Sequence, residues 1–142
     1  MKAVIQRVDG AKLSVDGKCV SSIGKGLVVY LGIEQGDLEA DAVKFCTKLA
    51  AMRIFEDAAG KLNLSVTDIG GEVLLVSNFT LCADISHGNR PSFTGAMKPQ
   101  EASVLYDKCV EFMNTLVPTS RGVFGADMTI EQVNDGPITI IY

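Results

Sequence analysis

Only one histidine, His87, occurs in the chain. With a single imidazole and no C-x-x-C pair, no zinc-ligand pattern is present, and no metal is expected. The cysteines Cys19, Cys46, Cys82 and Cys109 lie far apart. Cys46 and Cys109 fall in apolar helical patterns and read as core residues. A lone histidine also limits covalent catalysis, because a Ser or Cys nucleophile needs a base beside it. Ser77 lacks the G-x-S-x-G surroundings of a nucleophile elbow. A serine or cysteine hydrolase would therefore require His87 to reach Ser77 or Cys82. The carboxylates are spread along the chain with no paired spacing.

Cations are also in short supply: 13 Lys and Arg stand against 17 Asp and Glu, a net charge of −4. Broad, non-specific nucleic-acid binding needs many cations against phosphates and is not expected. A structured nucleic-acid partner held by a local basic patch is compatible with this balance. No apolar run approaches the roughly 20 residues of a membrane span. Charge at Arg7 and Asp9 interrupts the place of a signal-peptide core. The expectation is a cytoplasmic protein with no membrane partner. Low-complexity segments and internal repeats are absent.

What remains is an ordinary globular composition, 47% hydrophobic and 21% charged. One domain over residues 1–142 is expected. A chain of this size buries about 68–70% of its unfolded surface and needs no disulfide or metal to fold.

Met1–Val8 alternates as a strand before a turn at Asp9-Gly10. Lys12–Val15 and Lys18–Ile23 flank Asp16-Gly17, a hairpin signal. Gly26–Ile33 is a continuous apolar run that suits a central strand buried on both faces. Asp37 is the expected N-cap of a helix to about Met52, with Ala42, Val43, Cys46, Leu49 and Ala50 at helical spacing. Short strands at Arg53–Phe55 and Leu62–Leu64 bracket the turn at 57–60, and Gly70-Gly71 precedes another buried strand, Glu72–Val76. Residues 82–98 show no periodicity, and a loop of that length is often functional. A second helix over about Gln100–Val117 carries Leu105, Cys109, Phe112 and Leu116 and ends at Pro118. Gly122–Asp127, Met128–Val133 and Ile138–Tyr142 read as strands. The fold class is α+β: a curved, mainly antiparallel, barrel-like sheet with both helices on one face.

Three stretches draw attention for chemistry. Gly136-Pro137 precedes the last strand. It reads either as a turn or as a rigid piece of backbone, since proline fixes its φ and glycine adopts angles closed to other residues. The buried strand at 72–76 runs into Ser77-Asn78-Phe79-Thr80-Leu81, which places hydroxyls and an amide at a strand end. Either they satisfy their own turn or they form a site held by the sheet. His87-Gly88-Asn89-Arg90-Pro91-Ser92-Phe93 combines a cation, an aromatic and turn formers. It is either an exposed loop or a place to meet phosphate and stack on a base.

Taken together, these residues resemble the D-aminoacyl-tRNA deacylases, the D-tyrosyl-tRNA deacylase family. The opening Met1-Lys2-Ala3-Val4-Ile5-Gln6-Arg7-Val8 is similar to that family's start. Ser77-Asn78-Phe79-Thr80-Leu81 resembles its Ser-Gln-x-Thr motif. Gly88–Phe93 and Gly125-Ala126-Asp127-Met128 resemble middle and late segments. Asn134-Asp135-Gly136-Pro137-Ile138-Thr139 resembles Asn-x-Gly-Pro-Val-Thr. Asn78 departs from the usual Gln: it keeps the amide and shortens its reach by one methylene.

The resemblance implies a barrel-like homodimer with its site at the subunit interface and no cofactor. It implies hydrolysis of the ester between a D-amino acid, or glycine, and the 3′ acceptor end of tRNA. Gly136-Pro137 would be a cis pair reaching into the partner's pocket, its carbonyls holding the α-amino group and excluding an L side chain. Ser77, Phe79 and Thr80 would serve the ester, with main-chain N–H groups near Phe79 and Thr80 stabilising the oxyanion. Thr80 is a possible nucleophile, ranked below assistance from the ribose 2′-hydroxyl because no base is placed to activate it. Asn78, Phe93, Met128 and the Gly-Pro pair would bind substrate. Arg7 would brace the Gly-Pro loop, a surface ion pair being the alternative. A non-catalytic nucleic-acid-binding module on the same fold is the second reading.

Overall fold

The computed structural model describes residues Met1–Tyr142. Its spine is a long strand, β1 (Lys2–Val15). Along one edge, the first half of β1 pairs antiparallel with β3 (Gly26–Gly32) and the second half with β2 (Lys18–Ile23). Along the other edge lies β8 (Thr129–Ile141), also antiparallel. The hairpin at Asp16-Gly17 is present, both residues at positive φ (49° and 73°), the backbone that a two-residue primed turn requires.

Two expected turns are absorbed into these strands. Asp9-Gly10 is a shift of register within β1 rather than its end. The expected strands at 128–133 and 138–142 are one strand, β8, interrupted by a wide bulge. In both cases cross-strand pairing resumes beyond the irregularity, so the chain bends without leaving the sheet.

The sheet is mainly antiparallel, as expected, through β1 and its three partners, and its other half adds two parallel pairings. β3 pairs parallel with β6 (Glu72–Ser77), and β6 pairs parallel with β7 (Thr119–Arg121). Parallel neighbours need a long crossover. Helix α1 (Glu39–Ala50), with the small hairpin β4 (Phe55–Glu56) and β5 (Leu62–Leu64), supplies the first crossover, and α2 (Pro99–Leu116) the second. No strand forms over 122–127: a turn closes at Ala126 N–H to Val123 carbonyl, with Gly125 at φ 76°. The Ser21 hydroxyl of β2 donates to the Arg121 carbonyl of β7 at 2.6 Å, and the sheet is nearly a closed barrel. No helix is long and apolar enough to cross a membrane.

Each face of the sheet carries its own core. Ala3 and Ile5 of β1, Leu27, Val29 and Leu31 of β3, and Val73 and Leu75 of β6 pack against the helices through Phe45, Cys46, Tyr106, Cys109 and Met113. Val28, Leu74 and Val76, alternating with them, point into the barrel with Val8, Leu13 and Ile23. That is why β3 and β6 read as unbroken apolar runs. Gly26 permits the closest approach: a Cβ there would lie 1.8 Å from the Glu72 carbonyl oxygen. Helix α1 starts later than expected. Asp37 instead accepts from the Glu34 N–H at 2.6 Å, and Asp41 accepts from the Leu38 N–H at 2.9 Å.

Candidate active site

The C-terminal ends of the parallel strands β3 and β6 open into the main cavity, about 930 Å³ in volume. Ser77, Asn78 and Phe79 come to it from the end of β6, and Phe93 from the long loop. Tyr30 of β3, Phe124 and Met128 complete the apolar wall. Lys98 and Asp127 are the one cation and the one carboxylate on it.

Beyond Ser77 the chain turns at once into a single 3-10 turn, Phe79–Cys82. The Asn78 N–H still bonds the Leu31 carbonyl at 2.8 Å, which ties the turn to the sheet. Gly32 makes room for it: a Cβ there would lie 3.0 Å from Cys82 Sγ and Leu81 Cβ and 3.1 Å from the Asn78 carbonyl oxygen. The N–H groups of Phe79 and Thr80 open the turn and donate to no protein acceptor, as the first donors of a helix do. Phe79 and Phe93 meet edge to face at 5.2 Å between centroids, both exposed.

Thr80 stands beside the cavity rather than on its wall, and its hydroxyl donates to the Asn78 side-chain carbonyl. Thus the shorter amide at position 78 is engaged within the motif. The arrangement for a serine or cysteine hydrolase does not form. Cys82 is buried with its thiol donating to the Ile33 carbonyl at 3.6 Å, and burial pushes its pKa up. His87 lies in the exposed 85–91 segment, closed off by paired Asp84 and Ser92, and bonds neither residue.

Gly136, Pro137 and Arg7 do not line this cavity. In β8, Asn134 pairs with Val8 and Thr139 with Gln6, so residues 135–138 bulge out opposite Arg7 alone. The Gly136-Pro137 peptide is cis and exposed on that bulge. Gly136 has φ 121°, and a Cβ on it would lie 2.8 Å from the Ile138 nitrogen, so glycine is required there. Arg7 is only 4% exposed. Its Nε lies 3.0 Å from Asp135 Oδ2 and donates to the Asp135 carbonyl at 3.3 Å. A second nitrogen donates to the Ile54 carbonyl at 2.9 Å, and the guanidinium sits 6.0 Å from the Phe55 ring centroid. Arg7 is a buried anchor of the bulge, not a surface ion pair. Removing one partner of a fully buried pair typically costs about 3–5 kcal/mol, and the cost here is smaller because the Asp135 side chain is 29% exposed.

Sequence reasoning missed Tyr30, Lys98 and Phe124 as wall residues. Tyr30 was hidden as the one hydroxyl in an apolar run. Burial raises its pKa, and the protonated hydroxyl donates to Gln132 at 3.1 Å.

The chain is similar over its whole length to known proteins. A model of the D-Tyr-tRNA(Tyr) deacylase family matches residues 4–142. A D-aminoacyl-tRNA deacylase of Geobacter sulfurreducens is 51% identical over 142 residues, 99% of this chain and 93% of that one. One from Geobacter metallireducens is also 51% identical, covering 99% and 94%. The solved structure of a c-Myc DNA Unwinding Element Binding Protein superimposes with a TM-score of 0.95 at 38% identity, covering 100% of this chain and 97% of that chain. A probable eukaryotic D-amino acid tRNA deacylase shares the fold, with a TM-score of 0.86 at 17% identity over 99% and 97% of the two chains. With a family match from β1 to the last residue and half the positions identical to curated members, the chain belongs to the D-Tyr-tRNA(Tyr) deacylase family.

Proposed function

We propose that this chain hydrolyses the ester joining a D-amino acid, or glycine, to the 3′-terminal adenosine of tRNA, releasing free tRNA and the amino acid. The observation that carries this reading is the pair of unengaged N–H groups on Phe79 and Thr80 beside the cavity. In this reading they receive the ester oxygen as its carbon becomes tetrahedral. One such donor is typically worth about 2.7–4 kcal/mol. The exposed Phe79–Phe93 pair offers an aromatic surface for the adenine, and Ser77, Asn78 and Met128 border the same space.

Thr80 positions rather than attacks, since its hydroxyl is given to Asn78 and no base adjoins it. Water adds to the carbonyl carbon, its proton passes by way of the 2′-hydroxyl to the leaving 3′-oxygen, and the ester C–O bond breaks. An aminoacyl ester is already reactive, so this chemistry calls for no cofactor.

The Gly136-Pro137 bulge acts on a second copy of the chain. It is exposed and outside its own cavity, and Arg7 holds it from beneath. Val133 and Ile141 leave apolar surface on the same strand. In the homodimer, the two carbonyls accept from the substrate's α-amino group and leave no room for an L side chain, whereas glycine has none to exclude. The enzyme works in the cytoplasm, on the acceptor end of aminoacyl-tRNA.

Incubation with matched D- and L-aminoacyl-tRNA tests the proposal. Hydrolysis of the D-form alone is expected, and equal rates, or none on the D-form, would overturn it. A second reading, a nucleic-acid-binding module without turnover, is favoured by the name of the DNA-element-binding relative. Acceptor-end binding with no hydrolysis would select it.

A further inference from the structure

A line of side-chain hydrogen bonds crosses the concave face of the sheet. The Tyr30 hydroxyl, on the cavity wall, donates to Gln132 Oε1 at 3.1 Å. Gln132 Nε2 donates to Gln6 Oε1 and to Asn134 Oδ1, both at 2.7 Å. Gln6 Nε2 donates to Thr139 Oγ1 at 3.2 Å. Asn134 and Thr139 are the paired residues on either side of the Gly136-Pro137 bulge. Neighbouring residues of a strand point to opposite faces. Arg7 therefore grips the bulge from the helix side, while Gln6 and Gln132 tie both its roots from the barrel side.

We propose that Gln6 and Gln132 are positioning residues that fix the two roots of the bulge and so set how strictly Gly136-Pro137 separates enantiomers. This rests on the role given to that pair above. Two half-buried amides, each using both oxygen and nitrogen, can join Tyr30 and both roots in one arrangement. The same line links the wall of a subunit's own cavity to the bulge it presents to its partner.

Two variants of the full-length protein test this. Gln132→Leu removes all three of its bonds at similar volume. Gln132→Glu keeps an acceptor for Tyr30 and loses both donated bonds. Amide hydrogen exchange across 134–139 is the first readout and does not depend on catalysis. Faster exchange in both variants is expected, confined to this segment. The second readout is the ratio of D- to L-aminoacyl-tRNA hydrolysis. It is expected to fall about tenfold, the factor that one or two neutral hydrogen bonds are worth. Unchanged exchange overturns the bracing, and faster exchange with an unchanged ratio overturns its part in specificity. If the unaltered protein hydrolyses neither ester, the function proposed above fails, and the exchange result still decides whether Gln132 braces the bulge.

Discussion

Thr80 Oγ1 donates its proton to the Asn78 side chain, and that single bond bears on mechanism. A nucleophilic hydroxyl needs a base to take its proton, and a side-chain amide is not one. Thr80→Ala is therefore expected to lower kcat/KM by about tenfold to a hundredfold, as loss of a positioning contact does. A loss beyond about 10⁴-fold would instead mark Thr80 as the nucleophile. Single-turnover hydrolysis of D-aminoacyl-tRNA measures this. Tyr106 illustrates a purely structural residue. Its ring is fully buried, its hydroxyl donates to the Leu75 carbonyl at 2.8 Å, and burial pushes its pKa up to about 12. The protonated form is thus favoured by folding. Its contribution is fully present below about pH 10, the unfolded value, and declines as pH rises through about 12. Denaturant unfolding from pH 8 upward should show wild type losing stability above about pH 10 faster than Tyr106→Phe. Tyr30 shifts in the same direction but is common to both proteins.

At the scale of elements, the parallel pair β3 and β6 delivers the cavity. Its two C-terminal ends stop together, at Gly32 and Ser77, and the 3-10 turn is laid across them. Gly32 is the hinge of that contact, since a Cβ would press on Leu81, Cys82 and the Asn78 carbonyl. Gly32→Ala should displace the Phe79 and Thr80 N–H groups by a few tenths of an ångström. A misplacement near 1 Å costs about a hundredfold, so a loss of about tenfold in kcat is expected. The accompanying destabilisation should be about 1–3 kcal/mol, typical of overpacking. Circular dichroism melts beside rate measurements separate the two effects. A variant that loses stability with kcat unchanged would show that the turn does not set the chemistry. β8 plays the complementary part: it carries a bulge that the sheet, Arg7 and the Gln6–Gln132 pair all hold.

At the scale of the molecule, each chain holds the Ser77–Thr80 segment and the Gly136-Pro137 bulge apart, on different surfaces. The two-copy site proposed above has a consequence that a single-chain site lacks. A variant damaged at the bulge and a variant damaged at Phe79 should rescue one another when co-refolded. Random pairing makes half the dimers mixed, and one of the two sites in each is intact. About a quarter of wild-type activity is therefore expected from two individually inactive variants. Measured activity that is merely the average of the parents would mean that each chain works alone. The same test fixes the oligomer, because rescue needs at least a dimer.

By itself the sequence determined the elements whose signals are local. The Asp16-Gly17 hairpin, the two helical stripes apart from Val43 and Leu116, which are exposed, the buried runs of β3 and β6, and the stop at Pro118 all follow from residue chemistry at short range. The Ser77–Leu81 and Gly136-Pro137 motifs were legible for the same reason, as unusual residues at strand ends. Tertiary structure decided what depends on partners distant in sequence. Whether β3 and β6 run parallel is set by how α1 packs, and no local pattern encodes it. Whether Arg7 is surface or anchor depends on Ile54 and Asp135, 47 and 128 residues away. Gln132 carries no local signal, and only the packing of β1, β3 and β8 brings Gln6, Tyr30 and Asn134 within its reach. The bulge on β8 has the same origin. Gly-Pro signals a turn, and only the pairing with β1 on both sides converts that turn into a held projection within one strand.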